Sequence, residues 1–393
     1  MSTTKFDLAS AVAFEHVAAG QQQHSDGILA DPSGILIYKP CTRNEIDFYQ
    51  TTITEHPDFA RLMPTFMGTL ERGRSEQIDN LLSISQVADS ASPSIVLPTP
   101  DLEQNVPNAT EESIPLRGRK LDTDLVVVLE NTLAGFTRPN FMDIKLGKRL
   151  WADDAPKAKR AKFDDIASKT TSGSLGFRVA GMQIWEPSEV RPCQAQGVED
   201  SMTADVSGVE DNSTAAAAVN STGRYRPFDK IYGRSLREDN VQDAFKELFC
   251  LGSDALANEY VEDNMRDVDR SIEEIETVLA SKESRMYSAS ILLVFEGDAQ
   301  TRKKLIDAAV KRAVEESEGG GDGGGAGGLQ ADDEDDNDDD EDDEDEEEPR
   351  LFDVRVIDFA HAAWTPGQGR DENMLFGIKN VRKIINLLIE EAI

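Results

Sequence analysis

The sequence has little cysteine and little histidine. It contains 3 cysteines and 4 histidines among 393 residues. The cysteines, Cys41, Cys193 and Cys250, are far apart and odd in number, which argues against a disulfide framework and fits a reducing compartment. The histidines are scattered, so no zinc-ligand spacing is present.

Long apolar runs are also lacking. No stretch approaches the roughly 20 apolar residues that a membrane-spanning helix needs. The first residues, MSTTKFDLASAVAF, do not combine a basic start with a long apolar core, as a secretory signal would. The sequence therefore predicts a soluble intracellular protein.

Net positive charge is absent as well. The formal net charge is −34, of which the run Asp332 to Glu348 contributes −16, because Asn337 is its only residue that is not acidic. The rest of the chain still carries −18. A broad nucleic-acid-binding surface is therefore not expected, and any anionic ligand must be held by a local basic pocket.

Three segments have compositions that do not predict a packed core. Residues 83–115 are rich in Ser, Pro, Asn and Glu, residues 186–223 include an Ala-rich tract, and residues 318–349 are rich in Gly and then acidic. Such segments bury too little apolar surface to offset the entropy of ordering, and the acidic one repels itself. We expect three disordered insertions.

The central feature is the pattern P-x-x-x-D-x-K-x-G. Pro139, Asp143, Lys145 and Gly147 match it, shortly after the apolar run from Asp124 to Leu129. An acid and a base two residues apart on an extended segment project to the same face. Both can therefore reach one bound anion or its metal ion, which suits phosphoryl transfer.

Two further positions fit the same chemistry. Lys39 ends a predicted strand, and Glu45 begins a helix-like pattern, as in kinases that orient a phosphate-binding lysine by an ion pair. A surface lysine at a strand end is the alternative. Asp358 lies within an apolar strand pattern from Val354 to His361, and a carboxylate at a strand end is a usual magnesium ligand.

A basic helix follows the central pattern. Residues Ala155 to Lys169 are compatible with a helix, and Lys159 and Lys162 lie on one face of it. Three interpretations stay open at this point: an anion-binding pocket, a nuclear-localisation patch, or a solvated helix face.

Two predictions concern the second half of the chain. The composition from Arg285 to Gly297 predicts one buried strand. The spacing of Val381, Ile384, Ile385 and Leu388 predicts a closing helix with these residues packed in the core.

The order of these features resembles the inositol polyphosphate kinase family, most closely its multikinase branch of fungal type. The P-x-x-x-D-x-K-x-G pattern and the I-D-F-A-H element, at Ile357 to His361, match the family in full. Its Ser-Ser-Leu-Leu element is similar to Ala289 to Leu292, where the first serine and first leucine differ. Supporting stretches include TTSGSLGFR at 170–178 and Tyr232 to Arg234.

The resemblance implies a fold and an activity. The fold is α+β and two-lobed, with an antiparallel-sheet N-terminal lobe over 1–130, a larger mixed C-terminal lobe over 131–393, and ATP between them. The activity is ATP- and Mg²⁺-dependent phosphorylation of inositol trisphosphate and tetrakisphosphate towards the pentakisphosphate. An inositol hexakisphosphate kinase and an inositol trisphosphate 3-kinase are the alternatives.

The resemblance also implies roles for the nucleotide-binding residues. Lys39 would contact the ATP phosphates, Glu130 would offer main-chain atoms to adenine at the hinge, and Asp358 would hold Mg²⁺. Asp143 would either take the hydroxyl proton or bind the ribose, and the sequence leaves both roles open.

The remaining implied roles concern the phosphate groups. Lys145 would neutralise charge on the transferred phosphoryl group or on the substrate. Lys159, Lys162 and His361 would bind phosphates of the inositol phosphate. Protein-kinase activity is disfavoured, since the sequence has neither an H-R-D loop nor a G-x-G-x-x-G loop.

A non-enzymatic role is the second hypothesis. The acidic run 332–348 would recruit basic transcription regulators, and a solubilising insertion is the simpler explanation of the same residues. The resemblance implies a location in the nucleus and cytoplasm, with inositol phosphates as ligands and no direct binding of nucleic acid.

Overall fold

The computed structural model describes residues 11–14, 28–71, 123–187, 223–249, 255–319 and 350–392. The three predicted insertions lie almost wholly outside these ranges. Their predicted bounds are wrong at the edges, because residues 186, 187 and 223 belong to strands and residues 318 and 319 end a helix. Backbone pairing between β7 and β8 extends further than composition indicated, as far as Pro187 opposite Gly223.

The first sheet has five antiparallel strands in the order β1-β2-β3-β5-β4. Its strands are β1 Val12–Ala13, β2 Leu29–Ala30, β3 Leu36–Pro40, β4 Phe66–Glu71 and β5 Leu125–Glu130. β5 is almost fully apolar because it lies inside the sheet, between β3 and β4.

Two helices lie between β3 and β4. They are α1 Arg43–Glu55 and α2 Pro57–Ala60. The hydroxyl of Thr42 accepts a hydrogen bond from the Glu45 N–H and so caps α1. The ring of Phe48 stacks on Phe359 with centroids 4.8 Å apart and on Trp364 at 5.4 Å. These aromatic contacts fix α1 against the segment that carries Asp358.

The second sheet also has five antiparallel strands, in the order β11-β10-β6-β7-β8. Its strands are β6 Pro139–Leu146, β7 Phe177–Pro187, β8 Gly223–Phe228, β10 Ser290–Glu296 and β11 Phe352–Ile357. A separate pair joins β9 Ser284–Met286 to β12 Ala362–Trp364. The central sequence pattern therefore lies on the middle strand of this sheet.

The predicted single strand from Arg285 to Gly297 is wrong. The chain forms two strands, β9 and β10, which belong to different sheets. Ser288, between them, has φ of +62°, a backbone conformation that no strand residue adopts. The N–H of Tyr287 donates to the carbonyl of His361, so a contact distant in sequence holds this bend.

Seven further helices surround the second sheet in the described ranges. They are α3 Lys157–Ser168, α4 Thr171–Leu175, α5 Lys230–Ser235, α6 Val241–Phe249, α7 Ala255–Ala280, α8 Ala299–Gly319 and α9 Glu372–Ala392. The predicted apolar stripe of α9 is confirmed, since all four of its residues are buried. None of the helices within the described residues has the length and apolar character required to cross a bilayer.

One hydrophobic core connects the two sheets. It includes Val127 and Leu129 of the first sheet together with Met142 and Ile144 of the second. The backbone also links the two parts, because the Val356 N–H donates to the Leu62 carbonyl. The two sheets are therefore packed against one shared core.

Candidate active site

Lys39 lies between two carboxylates. Its Nζ is 2.9 Å from Oε1 of Glu45 and 2.9 Å from Oδ1 of Asp358. Burial alone would lower the pKa of Lys39, but the carboxylates of Asp358 and Glu45 together raise it well above its ordinary value. The predicted lysine–glutamate pair is present, and Lys39 carries a firmly held positive charge.

Asp358 follows directly after strand β11. Its φ is +69°, which is uncommon for a residue other than glycine and is tolerated best by Asp and Asn. Such a conformation costs about 1–3 kcal/mol and occurs preferentially at functional sites. It aims the carboxylate, which is 34% exposed, into the space between the two sheets.

Lys145 approaches the same carboxylate from the second sheet. Its Nζ is 3.5 Å from Oδ2 of Asp358 and donates to the carbonyl of Ser288 at 2.8 Å. The left-handed conformation of Ser288 thus directs a carbonyl at the lysine. One lysine from each sheet contacts Asp358, so the two sheets meet at this residue.

Asp143 is more deeply buried than Lys145 and Asp358, and only 1% of it is exposed. Burial raises the pKa of Asp143, the charge of Lys145 lowers it and that of Asp358 raises it again. The charges of Lys145 and Asp358 are thus close enough to Asp143 to change its pKa. The two residues of the central pattern are therefore close together, with the acid deeper than the base.

His361 and helix α3 form the outer part of the site. Nζ of Lys159 is 3.2 Å from Nε2 of His361. Although His361 is exposed at the mouth of the site, the surrounding protein and then the charge of Lys159 lower its pKa, which favours the neutral ring. Lys162 is one turn further along α3 and exposed. Lys159 is thus brought to the site, while Lys162 lies beside it.

Glu130 is not part of this cluster. It ends β5, and its carboxylate accepts hydrogen bonds from the N–H of Thr65 at 3.1 Å and from the Thr65 hydroxyl at 2.7 Å. Lys39 pairs with Val127, three residues before Glu130, which corresponds to roughly 10 Å along the strand. Glu130 therefore lies where the chain passes from the first sheet to the second.

Sequence reasoning missed a basic residue next to Lys145. Arg178 of β7 lies directly opposite Lys145 of β6 and is 7% exposed. Its guanidinium donates to Oγ of Ser172 at 3.0 Å. The stretch 170–178 supported the family resemblance, but the strand register that brings its last residue beside Lys145 cannot be read from the sequence.

The donor set around Asp358 fits a magnesium ion. The described residues contain no cluster of three or more His, Cys, Asp or Glu side chains that would cage a metal. Mg²⁺ is commonly bound by only one or two carboxylates together with substrate phosphates. A single accessible carboxylate between two lysines suits an ion that arrives with phosphates.

A cavity of about 520 Å³ lies beside the site rather than in it. It is lined by Arg149, Arg285, Tyr287 and residues 368–373. None of the predicted site residues lines it.

Comparison with known proteins identifies relatives. The family model described as inositol polyphosphate kinase matches residues 126–386. An inositol polyphosphate multikinase of Saccharomyces cerevisiae is 32% identical over 382 residues, covering 94% of this chain and 96% of the relative. The inositol polyphosphate multikinase of Schizosaccharomyces pombe is 34% identical over 173 residues, covering 44% and 51%.

A solved structure agrees with these relatives. The inositol phosphate multikinase Ipk2 of Saccharomyces cerevisiae, in complex with ADP and Mn²⁺, matches with a TM-score of 0.55 and 25% identity, covering 91% of this chain and 100% of that one. The predicted α+β, two-lobed kinase-like fold and the predicted resemblance are both confirmed. The chain belongs to the inositol polyphosphate kinase family.

Proposed function

We propose that this protein is an ATP- and Mg²⁺-dependent inositol polyphosphate multikinase, which phosphorylates inositol trisphosphate and tetrakisphosphate towards the pentakisphosphate. The observation that carries the proposal is the Asp358 carboxylate, which contacts one lysine from each sheet. The relative that is 32% identical over 94% of the chain is itself named a multikinase, which supports this choice within the family.

Lys39 and Asp358 form the proposed phosphate end of the nucleotide site. Lys39, oriented by Glu45, would exchange its contact with Asp358 for the ATP phosphates. Asp358 would hold Mg²⁺, which neutralises phosphate charge when bound; the complex of the solved relative with ADP and Mn²⁺ supports a nucleotide and a divalent ion here.

The adenine end is proposed at the junction after β5. The N–H of Glu130 already donates to the Thr65 carbonyl, so a main-chain contact from Glu130 itself would come from its carbonyl oxygen. This position also separates the proposed N-terminal lobe, 1–130, from the proposed C-terminal lobe, 131–393.

Lys145 and Asp143 are the proposed residues at the reacting groups. Lys145 would neutralise charge on the phosphoryl group as a ring hydroxyl attacks it in line. Burial raises the pKa of Asp143, which favours proton uptake and hence a role as the base. The alternative role is to accept hydrogen bonds from the ribose hydroxyls, and the kinetics of Asp143→Asn distinguish the two roles.

Lys159, Lys162 and His361 are proposed to bind the inositol phosphate. Lys159 already contacts His361, whose neutral ring accepts from the ammonium group. A phosphate arriving between them would favour the protonated imidazole, so both side chains would then donate to it. Lys162, exposed on the same helix, would reach a phosphate further out.

A substrate panel tests the proposal. Pure protein is incubated with ATP, Mg²⁺ and each of inositol trisphosphate, tetrakisphosphate, pentakisphosphate and hexakisphosphate. We expect turnover of the first two and accumulation of the pentakisphosphate. Turnover of the hexakisphosphate alone would contradict the multikinase assignment. Turnover that stops at the tetrakisphosphate would indicate a trisphosphate 3-kinase.

A matched pair of variants connects the activity to the site. Lys145→Met should abolish turnover, since it removes the charge that contacts Asp358. Lys303→Met, on the exposed face of α8, removes a lysine that pairs with Asp307 away from the proposed site and should leave turnover unchanged. Equal activity of the two variants would contradict the proposed role of Lys145.

We propose a second, separate role for the acidic run in the nucleus. Sixteen of the seventeen residues from Asp332 to Glu348 are acidic, a composition that attracts basic transcription regulators. Deleting 332–348 should leave kinase turnover intact and weaken capture of a basic nuclear partner. Unchanged capture would favour a solubilising insertion, and exclusion of the tagged full chain from nuclei would contradict the proposed location in the nucleus and cytoplasm.

A further inference from the structure

Two arginines near the active site, Arg178 and Arg234, lie close to each other. Arg178 of β7 makes one hydrogen bond, to Ser172, and Arg234 lies exposed in the last turn of α5. Within the described part of the chain, neither guanidinium takes part in an ion pair. This is unusual in a protein whose formal charge is −34, because carboxylates are plentiful.

The absence of an ion pair is most costly at Arg178, because this residue is buried. A guanidinium has five N–H donors, and a buried charge is ordinarily paired. Burial and then the charge of Arg234 lower the pKa of Arg178 to about 10, and the carboxylate of Asp143 opposes this shift only in part. Two like charges are thus held close to each other, with one of them buried.

The packing of the backbone brings these two arginines close together. A side chain on Gly233 would place its Cβ 1.9 Å from the Val179 carbonyl, so only glycine allows α5 to pack this closely on β7. Arg234 is the next residue. Close packing at Gly233 therefore fixes Arg234 near Arg178, despite the electrostatic repulsion between them.

Two hydroxyl groups, those of Ser172 and Thr171, lie near the Arg178 side of this pair. The hydroxyl of Ser172 accepts from Arg178, and the buried hydroxyl of Thr171 has no hydrogen-bond partner within the described residues. Lys145 lies directly across from Arg178, on the same face of the sheet. Guanidinium groups, hydroxyls and a lysine are the kinds of donor that bind a tetrahedral oxyanion.

We propose that Arg178 and Arg234, with the hydroxyls of Ser172 and Thr171, bind one phosphate group of the inositol phosphate substrate. The inference rests on the proposed function for the identity of the substrate, whereas the anion site itself does not. A bound phosphate supplies the negative charge that offsets the burial of Arg178 and its repulsion from Arg234. Free inorganic phosphate has the same chemistry and is the other possible source.

Thermal unfolding without nucleotide tests the anion site. Inorganic phosphate and inositol trisphosphate are titrated in turn into wild type, Arg178→Met, Arg234→Gln and the control Arg270→Gln, whose arginine is exposed on α7. We expect both anions to raise the Tm of wild type and of the control, and the shift to be at least about fivefold smaller in the two site variants.

The ligand-free proteins separate a binding role from a structural one. Arg178→Met should unfold at the same temperature as wild type or higher, because it removes an uncompensated buried charge. A lower Tm for ligand-free Arg178→Met with the anion-induced shift retained would overturn the proposal. Arg234→Gln, at an exposed position, provides the same test without a change in the core.

Steady-state kinetics test the substrate assignment. In Arg178→Met and Arg234→Gln, the KM for inositol trisphosphate should rise about tenfold or more, the effect of losing a charged hydrogen bond, with the KM for ATP unchanged. Protection by inorganic phosphate with an unchanged KM for inositol trisphosphate would refute the substrate part. If wild type phosphorylates no inositol phosphate, the proposed function fails, while the inorganic-phosphate shift still decides whether the anion site exists.

Discussion

The contact between Lys39 and Glu45 allows a quantitative test of the nucleotide site. Glu45 is 1% exposed, and its Oε1 is 2.9 Å from Nζ of Lys39. Glu45→Gln keeps the size of the side chain and removes its charge. The cap from Thr42 uses the main-chain N–H of residue 45 and is unaffected by the substitution.

The expected magnitude follows from the contacts that remain. A hydrogen bond to a charged group contributes about 1.5–3 kcal/mol, and glutamine retains part of it as a neutral acceptor. Lys39 also keeps its contact with Asp358 at 2.9 Å. We therefore expect the free energy of unfolding to fall by about 1–2 kcal/mol. A comparable loss in positioning Lys39 would raise the KM for ATP about tenfold.

Denaturant unfolding and steady-state kinetics measure the two effects. Glu55→Gln, at the exposed end of the same helix, is the matched control and should change neither quantity. The reasoning is refuted if Glu45→Gln leaves the KM for ATP unchanged, or if the KM for the inositol phosphate rises equally.

The pH dependence of this contact has a definite sign. The pKa of Lys39 is raised well above its ordinary 10.5 in the folded protein. Its stabilising contribution is then fully present below that value and is lost only as the pH rises through the folded pKa. Accordingly, the stability difference between wild type and Glu45→Gln should not change between pH 6 and about pH 9, and a steep change in that range would contradict the assignment.

Three further predictions concern charged residues that differ in how far they are buried. Burial raises the pKa of Asp143 above its ordinary 3.8, so the folded protein loses stability as the pH rises and Asp143 ionises. Asp143→Asn should therefore raise Tm at pH 7. The variant should have a higher KM for ATP if Asp143 binds ribose, and a lower kcat if Asp143 is the base. Asp358→Asn should reduce turnover by roughly 10²–10³. It should also lower Tm, because it removes the charge that contacts Lys39 and Lys145, although Asn tolerates the positive φ. Arg382 holds three carboxylates of α7, so Arg382→Met should lower the free energy of unfolding by about 2–3 kcal/mol in denaturant titrations, against less than about 0.5 for Arg270→Met.

Short-range patterns predicted several elements correctly. The stripe of α9 and the strand that ends before Asp358 follow from the spacing of apolar residues. The pairing of Lys39 with Glu45 also involves residues close in sequence, where a strand end and a helix start are six residues apart. Such features depend on local geometry, which periodicity reports directly.

Features that depend on distant contacts were predicted poorly or not at all. The bend at Ser288 is held by the carbonyl of His361, and composition alone could not distinguish it from a continuous strand. Arg178 lies beside Lys145 because of the register between β6 and β7. Nothing in the sequence near either residue reports that register.

The sequence by itself determined the family and the α+β class, because the ordered motifs and the apolar patterns of strands and helices are local. The roles of its motif residues in handling phosphate stay predictions. Only the tertiary structure decided that Lys39 and Lys145, from different sheets, meet at Asp358, and that Asp143 is buried beneath them. It also decided that Arg178 lies close to Arg234 and forms no ion pair within the described residues. The physical reason is that charge, burial and the resulting pKa shifts depend on distances across the sheets, which the packing of the whole core fixes.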